Sequence, residues 1–151
     1  MKNNLLIILL IFLTNCGYTP IYKNINSSDF SINIIDTSGN AEINNLIKYE
    51  LELDDNQESK NKYDISIDTN FGKKVIFKDT SGATSDYQLF LEVIFTVTTK
   101  DKKDTFLFSE KLNVKNNSDS FNQKSYEEII KRNFVSSIKE KLMLKLSNYK
   151  W

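Results

Sequence analysis

The chain has 151 residues, of which 40% are hydrophobic and 26% charged, and it contains 20 basic and 20 acidic side chains but no histidine. This length suits one domain with a hydrophobic core. The balanced charge argues against a nucleic-acid binder, which normally carries a basic excess. The lack of histidine removes the most common general base and metal ligand. Because Cys16 is the only cysteine, an intrachain disulfide is excluded.

The first sixteen residues have the pattern of a lipoprotein signal peptide. Lys2 provides a positive charge, and residues 5–13 form an unbroken apolar run that ends shortly before Cys16. This arrangement is typical of a secretory signal, and the run rises only about 13 Å as a helix, too short for a bilayer core of ~30 Å. We predict cleavage before Cys16 and lipid on its sulfur. An ordinary signal peptide and a buried N-terminal helix are the alternatives.

The rest of the chain contains no linker rich in glycine or proline. We therefore predict a signal peptide over residues 1–15, a lipid anchor and tether over 16–28, and a single domain over 29–151. Cleavage would leave 136 residues (151 − 15), and the loss of Lys2 would change the formal charge from 0 to −1.

The first half of the domain contains one strand pattern and one helix pattern. Apolar and polar residues alternate over 30–35, which predicts a strand, and 36–40 has the composition of a turn. Residues 41–53 then show a helical period, for which Ser38 or Asn40 is the predicted cap. The apolar side of this helix consists of Ile43, Leu46, Ile47 and Leu51. Its opposite side contains Asn44, Lys48 and Glu52.

Three strands are predicted next. The first covers about 65–78, with Gly72 as a bulge, and the clearest covers 87–99. The third covers 105–115, and the tight charged connection 100–104 makes the last two strands antiparallel neighbours. The inward side of the second strand is Leu89, Leu91, Val93, Phe95 and Val97. The inward side of the third is Phe106, Phe108, Leu112 and Val114.

A long amphipathic helix is predicted over 126–148. Ser125 begins a capping-box pattern, and residues 120–123 offer a second start. The apolar stripe of this helix consists of Tyr126, Ile130, Phe134, Ile138, Leu142 and Leu146, widened by Ile129, Val135, Met143 and Tyr149. Core packing accounts for such a stripe, and a partner-binding or membrane-surface helix is the alternative.

The order of these elements is strand, helix, three strands, helix. The economical arrangement is an α+β, two-layer sandwich: a mainly antiparallel four-stranded sheet with both helices on one face. The other face would carry Phe90, Ile94 and Leu107 among polar residues, which is apolar enough to contact a partner.

Residues 16–22 read Cys-Gly-Tyr-Thr-Pro-Ile-Tyr. This segment resembles the start of alphaproteobacterial members of the LPS-assembly lipoprotein family, LptE. Those proteins commonly open with cysteine, glycine, an aromatic residue, a variable residue, proline, an aliphatic residue and tyrosine. The matching positions are Cys16, Gly17, Tyr18, Pro20, Ile21 and Tyr22. The predicted order of elements is also similar to that family across nearly the whole mature chain.

The resemblance implies a protein that is not an enzyme, needs no cofactor, and faces the periplasm from a lipid anchor in the outer membrane. Such proteins sit as a plug inside the lumen of a large β-barrel partner, the LptD-type translocon of lipopolysaccharide (LPS). They help that barrel to assemble and let LPS pass to the outer leaflet.

A site for LPS must meet phosphates and carboxylates, and lysine is a workable point-charge partner for phosphate. Two groups of lysines are candidates: Lys100, Lys102 and Lys103 in one hairpin, and Lys73, Lys74 and Lys78 along a strand. Solvated turns would give the same pattern.

Two other classes of function remain open from the sequence. One is an accessory lipoprotein of an envelope ABC transporter or lipid-trafficking complex, which would also combine a lipid anchor with a small α/β domain. The other is a lipid-anchored hydrolase that uses aspartate and serine, but no nucleophile motif supports it.

Cys16→Ala should prevent lipid attachment, because the alanine side chain has no sulfur to acylate. We expect the variant to be unprocessed or to leave the outer-membrane fraction, as judged by mass spectrometry and membrane fractionation. Asn15→Ala is the matched control, since alanine is common before a lipobox cysteine, and it should remain anchored. Normal cleavage and full membrane retention of Cys16→Ala would contradict lipidation.

Overall fold

A computed structural model describes residues 30–52, 59 and 61–148. The elements, in chain order, are β1 (Phe30–Gly39), α1 (Ala41–Glu52), β2 (Asn61–Lys78), β3 (Thr84–Thr98), β4 (Lys103–Lys115) and α2 (Ser120–Ser147). The predicted signal peptide over 1–15, the anchor segment over 16–28 and Tyr149 lie outside the described residues.

The four strands form one sheet in the order β1-β2-β3-β4. The β2–β3 and β3–β4 pairs are antiparallel, as their short connections predict. The β1–β2 pair is parallel, because α1 carries the chain back between the two strands. The predicted α+β fold, with its mainly antiparallel four-stranded sheet and its order of elements, is therefore confirmed.

The core lies between one face of the sheet and the two helices. The predicted inward residues of β3, from Leu89 to Val97, are each no more than 1% exposed. Opposite them, the buried residues of the helices are Ile43, Ile47 and Leu51 of α1, and Ile130, Phe134, Val135, Ile138, Leu142, Met143 and Leu146 of α2. Burying each large apolar side chain contributes about 1.5–3 kcal/mol to folding, so this layer dominates the stability of the domain.

The strand β1 is longer than predicted. Residues 36–39, expected to form a turn, continue the strand beside β2, with a register shift between Ile34 and Asp36. The hydroxyl of Ser38 donates to Asp68 at 2.8 Å, which ties this extension to its neighbour. Pairing with a long partner strand thus outweighs the local turn propensity of these residues.

The start of α1 depends on a polar contact that the helical pattern does not show. Asn40 caps the helix, as predicted, because its Oδ1 accepts from the backbone N–H of Ile43 at 3.0 Å. Asn44, which the pattern assigns to the solvent side, is buried, so that prediction was wrong. Its Oδ1 accepts from the Thr69 hydroxyl at 2.8 Å, and its Nδ2 donates to the Ser38 carbonyl at 2.9 Å.

The long helix α2 begins earlier than the capping-box pattern predicts. Its N-cap is Asp119, whose carboxylate accepts from the N–H groups of Phe121 and Asn122. The second predicted start, at 120–123, is the correct one. Tyr126 and Ile129, which the predicted apolar stripe includes, are 49% and 56% exposed, and the buried side of the helix begins at Ile130. Neither helix of the described residues is long and apolar enough to cross a membrane.

Gly72 is not the bulge that the sequence predicts. It pairs in register with Phe90, and the irregularities of β2 lie nearer its end, between Val75 and Lys78. A Cβ atom at Gly72 would lie 2.5 Å from the Phe90 ring. The glycine therefore makes room for the aromatic ring on the neighbouring strand.

In β4, Leu112 is 40% exposed although its pattern predicts an inward side chain, because this strand is an edge of the sheet.

Gly39→Ala should destabilise the domain by about 2–4 kcal/mol, measured as the free energy of chemical unfolding. Gly39 has φ +87°, and an added Cβ would overlap the backbone carbonyl of Thr69. The matched control is Gly82→Ala, since Gly82 has φ +86° but no atom within 4 Å of the added Cβ. The control should cost only the strain of the left-handed backbone, about 1–2 kcal/mol. Equal losses in both variants would contradict the close approach of β1 and β2.

Candidate functional site

The two groups of candidate lysines lie apart along the sheet: the hairpin lysines and Lys78 are at opposite ends, and Lys73 and Lys74 pair with Leu89 and Gln88, nearer the middle of β3. Lys100 and Lys102 are exposed in the β3–β4 turn, and Lys103 pairs with Thr98 at the end of β3. At the other end, Lys78 pairs with Thr84 at the start of that strand. Fourteen steps along β3 separate the two ends, a distance of about 45 Å. The structure therefore keeps the two groups apart, and they cannot contact one small ligand together.

The lysines of the second group also differ from one another. The Nζ of Lys73 lies 2.6 Å from Glu127 of α2 and 3.8 Å from the centre of the Tyr87 ring. Lys74 lies on the opposite face of the strand, because neighbouring side chains alternate. Lys78 is exposed at the end of β2. Lys73 is thus engaged in an internal contact, and the three side chains do not converge.

Glu127 is the centre of the most connected polar cluster on α2. Its Oε1 accepts from the Nζ of Lys73 at 2.6 Å and from the buried Tyr87 hydroxyl at 2.6 Å. It also accepts from the Nε2 of Gln123 at 2.8 Å. Partial burial opposes ionisation of Glu127, but the hydrogen bonds from Lys73 and Tyr87 outweigh it and lower the pKa of the carboxyl. Burial and the same carboxylate raise the pKa of Tyr87.

Two further carboxylate contacts hold the same helix. Lys131 lies between Glu42 of α1, at 2.9 Å, and Glu128, at 2.8 Å, and these partners outweigh its burial and raise its pKa. Glu110 of β4 accepts from Ser137 and from Lys141. Partial burial opposes its ionisation, but these two contacts lower its pKa. Since each contact joins α2 to a different element, the three together fix its position on the sheet.

An open polar pocket lies where β4 ends and α2 begins. Its volume is about 590 Å³. Its lining residues are Asn113, Val114, Lys115, Asn116, Asn117, Ser118, Asn122, Gln123 and Tyr126. Residues 116–119 connect β4 to α2 and belong to neither of the two predicted elements. Amide side chains are dense between 113 and 123, but this density does not by itself indicate a shared cavity.

The outer face of the sheet, away from the helices, carries exposed apolar side chains where the sequence predicts them. Ile94 of β3 is paired with Leu107 of β4, and the two are 38% and 65% exposed. Phe90 is half-buried beside Gly72 on the same face. Ile94 and Leu107 form the outer-face patch, and the polar pair Glu92–Ser109 lies between this patch and Phe90.

The described residues contain no group of three or more histidine, cysteine, aspartate or glutamate side chains placed to hold a metal ion. The contacts of Glu127, Glu110 and Lys131 are all between protein side chains. We therefore interpret these clusters as structural, and place the candidate binding surfaces at the outer-face patch, the lysine hairpin and the polar pocket.

Comparison with known proteins matches no family model and no curated protein. Solved structures do match. The putative lipoprotein from Caulobacter crescentus CB15 has a TM-score of 0.58 at 13% identity, over 83% of this chain and 91% of that one. The rare lipoprotein B from Shewanella oneidensis has a TM-score of 0.53 at 13% identity, over 76% and 92%. Lipoprotein B from Nitrosomonas europaea has a TM-score of 0.53 at 12% identity, over 81% and 86%.

The chain has the fold of these bacterial lipoproteins. The likeness covers most of both chains in each case, so the shared unit is the whole sheet with its two helices and not one hairpin. At 12–13% identity the likeness concerns the fold alone.

Glu127→Gln should weaken the attachment of α2 and change the pH dependence of stability. Because the pKa of Glu127 is lowered in the folded protein, its contribution is fully present above the ordinary glutamate pKa of about 4.3 and is lost as pH falls through the lower folded value. We expect a loss of about 1–2 kcal/mol at pH 7 and a smaller loss on acidification than in the wild type.

The measurement is urea unfolding between neutral and acidic pH. Glu140→Gln is the matched control, because Glu140 is exposed on the same helix and makes no hydrogen bond or ion pair within the described residues. A Glu127→Gln variant with the control's stability and pH profile would contradict the role of this cluster.

Proposed function

We propose that this protein is a lipid-anchored, outer-membrane lipoprotein that serves as plug and assembly partner of the β-barrel that translocates LPS. The observation that carries the proposal is the combination of two features. The domain has the fold of bacterial lipoproteins, and the same chain carries, at residues 16–22, a segment that resembles the start of LptE. Neither feature depends on the other, since one is a fold and the other a short motif.

The anchor on Cys16 would hold the domain at the membrane. One acyl chain gives marginal binding, whereas two or more give stable anchoring, so a triacylated cysteine is sufficient. β1 begins at Phe30, and residues 17–29 would therefore connect the lipid to this strand. An extended chain of this length reaches about 40 Å, which lets the domain sit within a barrel while its lipid remains in the surrounding leaflet.

A plug must keep its shape inside a water-filled lumen. Three carboxylate contacts fix α2 to both the sheet and α1, which favours a rigid body. The outer face of the sheet is polar around the patch of Ile94 and Leu107. Buried apolar anchors within a polar rim are typical of protein interfaces, so we propose that this patch contacts the barrel wall.

The lysine hairpin is the proposed contact for LPS phosphates. Lys100, Lys102 and Lys103 are exposed, whereas Lys73 is paired with Glu127. Asp101 lies within the same turn and reduces its positive charge. In this proposal the protein binds and positions, and it performs no covalent chemistry.

The proposal is tested by purifying the protein from its native envelope in mild detergent and identifying the proteins that accompany it by mass. We expect a large β-barrel in stoichiometric amount. Leu107→Ser should reduce the recovery of the barrel, because it removes the most exposed apolar side chain of the outer-face patch, which is 65% exposed.

Tyr49→Ser is the matched control for this experiment. Tyr49 is 61% exposed on α1, in the layer opposite the outer face, so its loss should leave recovery of the barrel unchanged. Transporter subunits in place of a barrel would instead favour an accessory lipoprotein of an envelope transporter. An equal effect of both variants would contradict the assignment of the outer face.

A further inference from the structure

The polar pocket between β4 and α2 is lined mainly by polar side chains that carry no charge. Of its lining residues, Asn113, Asn116, Asn117, Asn122 and Gln123 have amide side chains. Ser118 and Tyr126 add hydroxyl groups, and Lys115 is the charged member. The set therefore offers both donors and acceptors and carries little charge.

Three of these amide side chains are each fixed by one hydrogen bond, which leaves the other end of the amide group available. Asn116 donates from Nδ2 to the Thr84 carbonyl at 3.0 Å, and Asn122 donates from Nδ2 to Asp119 at 2.7 Å. Asn117 accepts at Oδ1 from the N–H of Asp119 at 3.0 Å. Within the described residues, their other ends make no hydrogen bond. The pocket thus presents two fixed carbonyl acceptors and one fixed amide donor.

The beginning of α2 does not provide an anion site beside these amides. The backbone N–H groups of Phe121 and Asn122, which would attract a phosphate at a free helix N-terminus, already donate to the Asp119 carboxylate. The negative charge of Asp119 also opposes the single Lys115. A phosphate or carboxylate ligand would therefore meet neither free N–H groups here nor a net positive charge.

Tyr126 completes the pocket with an aromatic surface. Its side chain is 49% exposed, and no hydrogen bond or ion pair within the described residues engages its hydroxyl. An exposed aromatic ring beside fixed amides suits a ligand that has both apolar C–H faces and hydroxyl groups, since the ring packs on the former and the amides bond the latter.

We propose that the polar pocket binds a neutral saccharide. A sugar ring supplies hydroxyls that donate to the carbonyl ends of Asn116 and Asn122 and accept from the amide end of Asn117, and its C–H face can pack on Tyr126. The pocket volume of about 590 Å³ lies within the range of roughly 300–1,000 Å³ that is typical of small-ligand pockets. The proposal stands on the domain alone and needs neither the barrel nor the anchor.

The test is NMR on the full chain in detergent: saturation transfer to maltotriose and chitotriose as neutral probes, and chemical-shift changes of the protein amides on addition of either sugar or of inorganic phosphate, the charged probe. Two trisaccharides are used because an envelope glycan can carry plain hydroxyls or N-acetyl groups. We expect transfer to at least one of them, and the stronger signal identifies the class of glycan. Inorganic phosphate should leave the amide resonances of 116–123 unchanged.

Substitutions in the pocket lining test whether the saccharide binds in this pocket. Asn122→Ala and Tyr126→Ala should each weaken saccharide binding about tenfold, the effect of losing roughly one hydrogen bond or one ring contact. Both side chains are exposed, and circular dichroism checks that the variants fold. Asn70→Ala is the matched control, because Asn70 is an exposed asparagine of β2, bonded to Glu92 and outside the pocket lining.

Three results would overturn the proposal. One is the absence of transfer to either trisaccharide, and another is binding that the pocket variants and the control change equally. The third is a response of the 116–123 amides to phosphate but not to sugar, which would make the pocket an anion site. All three are independent of the barrel experiment, so a failure here leaves the proposed plug function untouched.

Discussion

The architecture depends on the burial of one side of β3. This strand lies between β2 and β4, and its inward side chains from Tyr87 to Val97 are no more than 1% exposed. Both helices must cover that side, since the described core has no other layer. The opposite side of the same strand is then left for polar groups and for the patch that Ile94 forms with Leu107.

Hydrophobic burial alone would let a long helix slide or rotate on such a surface. The contacts of Glu127, Lys131 and Glu110 restrict this movement, because each requires a particular distance between α2 and a different element. Exposed ion pairs contribute only about 0–1 kcal/mol each. Their main effect here is therefore on position. Asn44 and Thr69 have a comparable effect where α1 meets the sheet.

The parts of the fold that the sequence predicts are those set by local periodicity. The alternation from Leu89 to Val97 identifies the central strand, and the four-residue repeat from Ile130 to Leu146 identifies the buried side of α2. The errors come from long-range effects. Residues 36–39 extend β1 because β2 lies beside them, and Gly72 serves the Phe90 ring of the next strand.

The candidate site was less predictable than the fold. Charge alone selected the lysines, but only the paired strands show that the two groups lie far apart along the sheet. The polar pocket depends on contacts such as that of Asn116 with Thr84, which are 32 residues apart. No local pattern of amide residues indicates whether they line one cavity or are scattered over a loop.

The two outer strands have a further consequence for a protein whose copies would be concentrated on a membrane surface. Unpaired strand edges readily recruit a strand from another molecule. β1 interrupts its edge with the irregularity at Ile34 and Asp36, and β4 carries Lys103, Lys111 and Lys115 along its length. Bulges and edge lysines both disfavour such pairing. The four-stranded sheet of the described residues is therefore protected at both edges, and crowding of the domain does not by itself lead to edge-to-edge aggregation.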